Sequence, residues 1–162
     1  MWKMINFETE KLYFNCISKN LTITTAESCT GGMISSAIVH INGSSQIFKS
    51  SLIVYSNDMK SKLLNIPNDL ITKSGAVSEI IAFNMAKNSL KKSKANLSIA
   101  VTGIAGPTGG SVNKPVGLVW IAIATKEKII TNKNHFIGSR LEIRQKTTLE
   151  SLKAANKVIL EI

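Results

Sequence analysis

Three short runs rich in β-branched and aliphatic residues, Leu21–Ala26, Ser50–Tyr55 and Leu97–Val101, are separated by segments of helical periodicity. This alternation excludes an all-helical bundle and an all-β sandwich, and it calls for a sheet with helices packed on its faces. Further on, Val116–Ala124 and Ile129–Phe136 flank Thr125-Lys-Glu-Lys128, the pattern of a hairpin. The resulting order, α-β-α-β-α-α-β-β-β-α, predicts a mixed sheet with helices on both faces. The hairpin supplies its antiparallel part.

The helices are read from stripes and caps. Phe7–Lys19 places Leu12, Cys16 and Lys19 near one stripe, and Met33–Ile41 resumes helical spacing after a glycine pair. Asn57 is the expected N-cap of a short helix through Leu64. Pro67 opens a further turn or helix that Gly75 closes. Ser78 is the expected cap of a long helix, Glu79–Lys92, with Ile80, Phe83, Ala86 (or Met85) and Leu90 on its buried face. Ser139-Arg-Leu-Glu142 has the form of a capping box and opens a last helix towards Ile162. At 162 residues the chain is expected to form a single domain, 1–162, burying roughly 70% of its unfolded surface.

The formal net charge of +10 suggests nucleic acid, yet the residue types argue against it as the main partner. Of 20 basic residues, 18 are Lys; only Arg140 and Arg144 are Arg. Readers of phosphates and bases favour Arg forks and aromatic platforms, and here the lysines are scattered, with Lys91, Lys92 and Lys94 the tightest group. Cys16 and Cys29 form no disulfide framework, and no Cys-x-x-Cys or His cluster has metal spacing, so neither metal nor cofactor is expected. No apolar run is long enough to span a bilayer, and the start lacks a signal-peptide pattern. A reduced, cytoplasmic setting is the default expectation. Homo-oligomerisation is left open.

Chemistry concentrates in three segments that follow strands: Thr24-Thr-Ala-Glu-Ser-Cys-Thr-Gly-Gly32, Tyr55-Ser-Asn-Asp-Met-Lys60 and Thr102-Gly-Ile-Ala-Gly-Pro-Thr-Gly-Gly110. Strand carboxyl ends line the ligand crevice of open α/β sheets, so the three are expected to converge. Ser28 sits at a strand-to-helix junction where free amides would hold an oxyanion; the competing reading is a plain helix cap. Cys29 is a rival nucleophile, although free cysteines are usually small buried hydrophobes. His40 and His135 lie outside the three segments, which disfavours a Ser–His–Asp triad and leaves lysine as the base. Lys60, near the positive end of a helix, is the candidate, with Asp58 opposing a lowered pKa if it turns inward. As a lone residue it would be one surface lysine among 18. Thr102–Gly110 lacks both the Walker and the Rossmann endings, and its glycines fit an anion-approaching loop or a tight turn equally. Arg140, rare by type here, suggests a bidentate role, with a structural carboxylate pair as the alternative.

Together the blocks TTAESCTGG, GSS (Gly43–Ser45), VYSN (Val54–Asn57) with Lys60, GAVSE (Gly75–Glu79), TGIAGPTGG and KPVGLVW (Lys114–Trp120) resemble the CinA C-terminal-domain family, the nicotinamide mononucleotide (NMN) amidohydrolases, in stand-alone form. The resemblance runs from Leu21 to about Leu152. It implies a three-layer α/β/α sandwich with a mixed, mainly parallel sheet, and hydrolysis of the NMN carboxamide to nicotinate mononucleotide and ammonia in pyridine nucleotide salvage. It also implies Ser28 as nucleophile, Lys60 as base and Tyr55 as a third catalytic residue. Substrate contacts would fall on Thr30, Gly31, Gly32, Thr102, Gly103, Gly106 and Arg140. No metal is implied. A non-catalytic nucleotide-binding or interaction module on the same scaffold is the alternative.

Overall fold

A computed structural model describes all 162 residues. Five strands, β1 (Ile23–Glu27), β2 (Phe48–Ile53), β3 (Leu97–Gly103), β4 (Leu118–Ala124) and β5 (Ile129–His135), form one sheet in the order β2-β1-β3-β4-β5. The β1–β2 and β1–β3 pairs are parallel, and the β3–β4 and β4–β5 pairs are antiparallel. Two pairs of each kind leave β4 as the one strand running against the other four. The sheet is mixed, as expected, and mainly parallel in strand direction.

The helices are α1 (Trp2–Ser18), α2 (Met33–Val39), α3 (Asn57–Leu64), α4 (Asn68–Ser74), α5 (Glu79–Ser93) and α6 (Arg140–Leu160). One face of the sheet packs α1, α2 and α6 through Ile5, Leu12, Ile34, Ile38, Leu152 and Ile159 against Ile23, Ile99, Val101 and Ile121. The other face packs α3, α4 and α5 through Leu64, Ile71, Ile81 and Met85. This is the three-layer α/β/α arrangement.

The two faces differ in texture. Inward of α5 the strands offer Ala26, Ala100, Ala122 and Ala124, and α5 answers with Ala82 and Ala86. Alanine on alanine lets helix and sheet approach closely, and this turns α5 from the expected stripe. Ile80 is exposed, and Phe83 and Leu90 are half-buried, while Ile81, Ala82, Met85 and Ala86 are buried. A reading that favours bulky residues misses the buried stripe by one position at Ile80, Phe83 and Leu90.

Two caps also differ from expectation. Ser56, not Asn57, is the N-cap of α3, its hydroxyl accepting from the Met59 N–H at 3.2 Å. Ser78 caps α5 without a side-chain bond to the helix; its hydroxyl donates back to the Gly75 carbonyl. The capping box of α6 is present, with the Ser139 hydroxyl accepting from the Glu142 amide and the Glu142 carboxylate accepting from the Ser139 amide at 2.7 Å. It fixes the first turn of α6, where Arg140 sits.

Candidate active site

Because β1, β2 and β3 run parallel, their carboxyl ends emerge on the same edge of the sheet. Ser28 directly follows β1, Tyr55 lies just beyond β2, and Thr102 and Gly103 end β3. The α3 turn then carries Lys60 back over this edge. Ser28, Tyr55, Lys60, Thr102, Gly103 and Arg140 all line one cleft of about 220 Å³, with Cys29, Asn57, Ala76, Val77 and Ala105 completing its wall.

Lys60 is the most unusual residue in it, a lysine with only 1% of its surface exposed. Its Nζ has three oxygen neighbours: Ser28 Oγ at 3.1 Å, the Val54 carbonyl at 3.0 Å and the Tyr55 carbonyl at 3.3 Å. No carboxylate pairs with it. Burial without a counter-ion penalises the ammonium and lowers its pKa from the ordinary 10.5. Asp58 does not oppose this, since it turns outward to an exposed pair with Lys62 at 2.9 Å.

The three neighbours also dictate how a neutral amine would orient. Carbonyl oxygens only accept, so the two remaining N–H bonds must serve Val54 and Tyr55. The lone pair is then left for the one neighbour able to donate, the Ser28 hydroxyl. The fold thus presents a base to Ser28 whenever Lys60 sheds its proton.

Cys29 is a poor rival nucleophile. It is 5% exposed, and burial pushes its thiol up to about 12. His40 and His135 lie away from the cleft, His135 with its Nε2 at 3.1 Å from the Val116 carbonyl.

Glu27, which sequence reasoning passed over, organises the loop that carries Ser28. Its carboxylate is fully buried and accepts from the amides of Gly32, Ile34 and Ser35 at 2.8–3.1 Å and from the Thr30 hydroxyl at 2.6 Å. The amides at the start of α2, expected to be free for an oxyanion, are therefore consumed by a fixed carboxylate. The N–H groups of Cys29 and Thr30, earlier in the loop, have no backbone acceptor. Thr30, Gly31 and Gly32 do not line the cleft; Thr30 is buried against Glu27, and Gly31 and Gly32 supply left-handed backbone at φ 58° and 95°.

Both arginines of the chain project from α6 to this end of the sheet. Arg140 donates from Nη1 to the Gly106 carbonyl at 2.8 Å and from Nη2 to the Tyr55 hydroxyl at 2.9 Å, a forked contact without a carboxylate. Arg144, one turn later, donates to the Thr30 carbonyl at 2.7 Å. The rarity of Arg pointed to Arg140 alone; Arg144 was missed, although the four-residue spacing places both on one helix face. Gly106, expected as a substrate contact, does not line the cleft; it is buried and supports Arg140 through its carbonyl, while Pro107–Gly110 lie outside the cleft and exposed. Thr102 is buried and its hydroxyl donates to the Ala76 carbonyl at 2.8 Å, holding the Ala76–Val77 wall in place. No group of three or more His, Cys, Asp or Glu side chains is arranged to hold a metal. No helix is long and apolar enough to cross a membrane.

Comparison with known proteins agrees with this architecture. The CinA-like protein of Prochlorococcus marinus (strain MIT 9515) is 49% identical over 138 residues, covering 83% of this chain and 32% of that protein. The chain spans about a third of the length of the curated relatives it matches. Among solved structures, the competence/damage inducible protein CihA from Agrobacterium tumefaciens superposes with a TM-score of 0.91 at 37% identity, covering 93% of each chain. A competence-damaged protein (CinA) superfamily protein from Escherichia coli superposes at 0.90 with 31% identity, over 96% of this chain and 90% of that one. The family model described as the CinA C-terminal domain matches residues 7–159, and the chain belongs to that family.

Proposed function

We propose that this chain is an amidohydrolase that uses Ser28 and Lys60 to deamidate nicotinamide mononucleotide. The observation that carries the reading is the buried, unpaired Lys60, whose Nζ lies 3.1 Å from Ser28 Oγ and is backed by two carbonyls. In the proposed reaction neutral Lys60 takes the Ser28 proton as Oγ attacks the carboxamide carbon. The tetrahedral oxyanion meets the N–H of Cys29, the free amide beside the nucleophile. Collapse expels the amide nitrogen, which leaves as ammonia with the proton held by Lys60. Water, activated by the same amine, then cleaves the Ser28 ester and releases the carboxylate, nicotinate mononucleotide.

The cleft, at about 220 Å³, is below the ~300–1000 Å³ of sites that enclose a whole drug-sized ligand. It suits the carboxamide and its ring, with ribose and phosphate running outward past Tyr55 and Arg140. Arg140 keeps further N–H donors beyond the two already engaged, and these would meet the phosphate. Tyr55, fixed by Arg140 at its hydroxyl and by Lys60 at its carbonyl, would hold the cleft mouth and orient the ring.

The test is ammonia release by the purified chain from NMN, with nicotinamide riboside and free nicotinamide as truncated substrates. NMN turnover that falls as phosphate and then ribose are removed is expected. Absence of ammonia from all three, in a folded protein, overturns the assignment and leaves the non-catalytic binding module.

A further inference from the structure

A second cavity in the molecule is larger than the Ser28 cleft. It is a concavity of about 680 Å³ at the opposite end of the sheet, between the end of α5 and the β4–β5 turn. Its floor is apolar, formed by Leu21, Phe83, Leu90 and Ile129, and its rim is basic. Lys87, Lys91 and Lys94 enter at i, i+4 and i+7 from the end of α5, and Lys126 faces them from the β4–β5 turn. None of these four has a carboxylate partner. Lys128 is neutralised by Glu161 at 2.6 Å, and Glu127 is the one acidic residue in the wall.

Lysines at a helix carboxyl end complement the helix dipole, which explains Lys91 and Lys92 locally. It does not explain Lys126, which belongs to another element, nor the conformation of Lys94. Lys94 is the C-cap of α5 and is left-handed, at φ 55°. Glycine and asparagine tolerate that backbone, and other side chains are strained in it. The other two non-glycine residues with positive φ in this chain are both asparagine, Asn20 and Asn65. At Lys94 the chain keeps a cation where its own usage elsewhere favours asparagine. Backbone strain of this kind clusters at ligand-binding and other functional sites.

We propose that this concavity binds a small polyphosphate-bearing anion, its phosphates held by Lys87, Lys91, Lys94 and Lys126 and its less polar body resting on the apolar floor. Several like charges without carboxylate partners, lining one concavity, focus a positive potential that such an anion relieves. The volume falls within the ~300–1000 Å³ of small-ligand sites. A nucleic-acid strand fits less well, because the concavity holds no Arg and a single aromatic ring for base stacking.

The strained lysine makes a test that separates binding from folding. Titration calorimetry at physiological salt uses inorganic tripolyphosphate, ATP and a single-stranded oligonucleotide as probes. ATP is expected to bind more tightly than tripolyphosphate. Lys94→Asn is expected to weaken ATP binding roughly tenfold, as loss of one charge-assisted contact does, while raising the thermal midpoint by about 1–3 °C. Lys126→Gln, away from the helix end, is expected to weaken binding similarly with no gain in midpoint. Lys11→Gln, an equal charge change on α1, is expected to leave binding unchanged. Failure of ATP and tripolyphosphate to bind, equal weakening by Lys11→Gln, or tighter binding of the oligonucleotide would each overturn the proposal.

Discussion

The Nζ of Lys60 lies 3.1 Å from the hydroxyl oxygen of Ser28, bridging 32 positions of sequence across the ends of two parallel strands. Under the proposed reaction, removing either atom stops turnover. Ser28→Ala is expected to lower kcat on NMN by about 10³-fold or more, with an unchanged circular dichroism spectrum. Cys29→Ala is expected to retain most activity, since the thiol is held protonated by burial. Wild-type turnover in a folded Ser28→Ala protein would falsify the serine assignment.

In the proposed reaction Lys60 acts as a neutral amine, so activity is expected to rise with pH to a plateau, with an apparent pKa below 10.5. Lys60→Met is expected to be almost inactive. Lys60→Arg is expected to be no better, because a guanidinium keeps its proton. Substantial activity in Lys60→Arg would show that only the charge matters.

The same lysine links stability to pH. Its pKa is lowered in the folded state by desolvation, so between that lowered value and 10.5 the unfolded chain binds more protons. The contribution of Lys60 to stability therefore rises with pH across this window and is level below it. Urea midpoints of wild type and Lys60→Met, measured through the alkaline range, are expected to diverge in favour of wild type as pH rises. Parallel curves would place the Lys60 pKa at its ordinary value.

Glu27→Gln keeps the shape of the side chain but replaces an accepting oxygen with a donating amide facing N–H groups. The amides of Gly32, Ile34 and Ser35 and the Thr30 hydroxyl all converge on that carboxylate. A loss of about 2–4 kcal/mol in urea unfolding is expected, with activity lost through the displaced Ser28 loop. A change under about 0.5 kcal/mol would mean that water or backbone movement satisfies these donors as well.

Arg140→Lys keeps charge and loses the fork that joins Gly106 to Tyr55. If its spare donors hold the substrate phosphate, KM for NMN is expected to rise more than kcat falls. The same substitution is expected to leave KM for nicotinamide riboside, which has no phosphate, much less affected. Equal changes for both substrates would assign Arg140 to holding the cleft walls alone.

The sheet, its hairpin and the convergence of the three strand-end segments were legible because each depends on local pattern and on the general geometry of parallel sheets. Lys60 was singled out because its segment follows a strand and no histidine lay in a comparable place. What escaped was set by tertiary packing. Glu27 reads as the first residue after a strand until α2 turns its amides onto it. Arg144 lies in the middle of a helix, where only its rarity and its spacing from Arg140 gave a signal. The stripe of α5 was misplaced by one residue because small side chains, not large ones, define its contact with the sheet.

Arg140 and Arg144 belong to the last helix, whereas the atoms they hold belong to loops made far earlier. A nascent chain translated as far as β5 already contains Ser28 and Lys60, yet the contacts of Arg140 with Tyr55 and Gly106 and of Arg144 with Thr30 are still missing. Ser28 and Lys60 thereby lack a finished pocket until α6 is synthesised and docks.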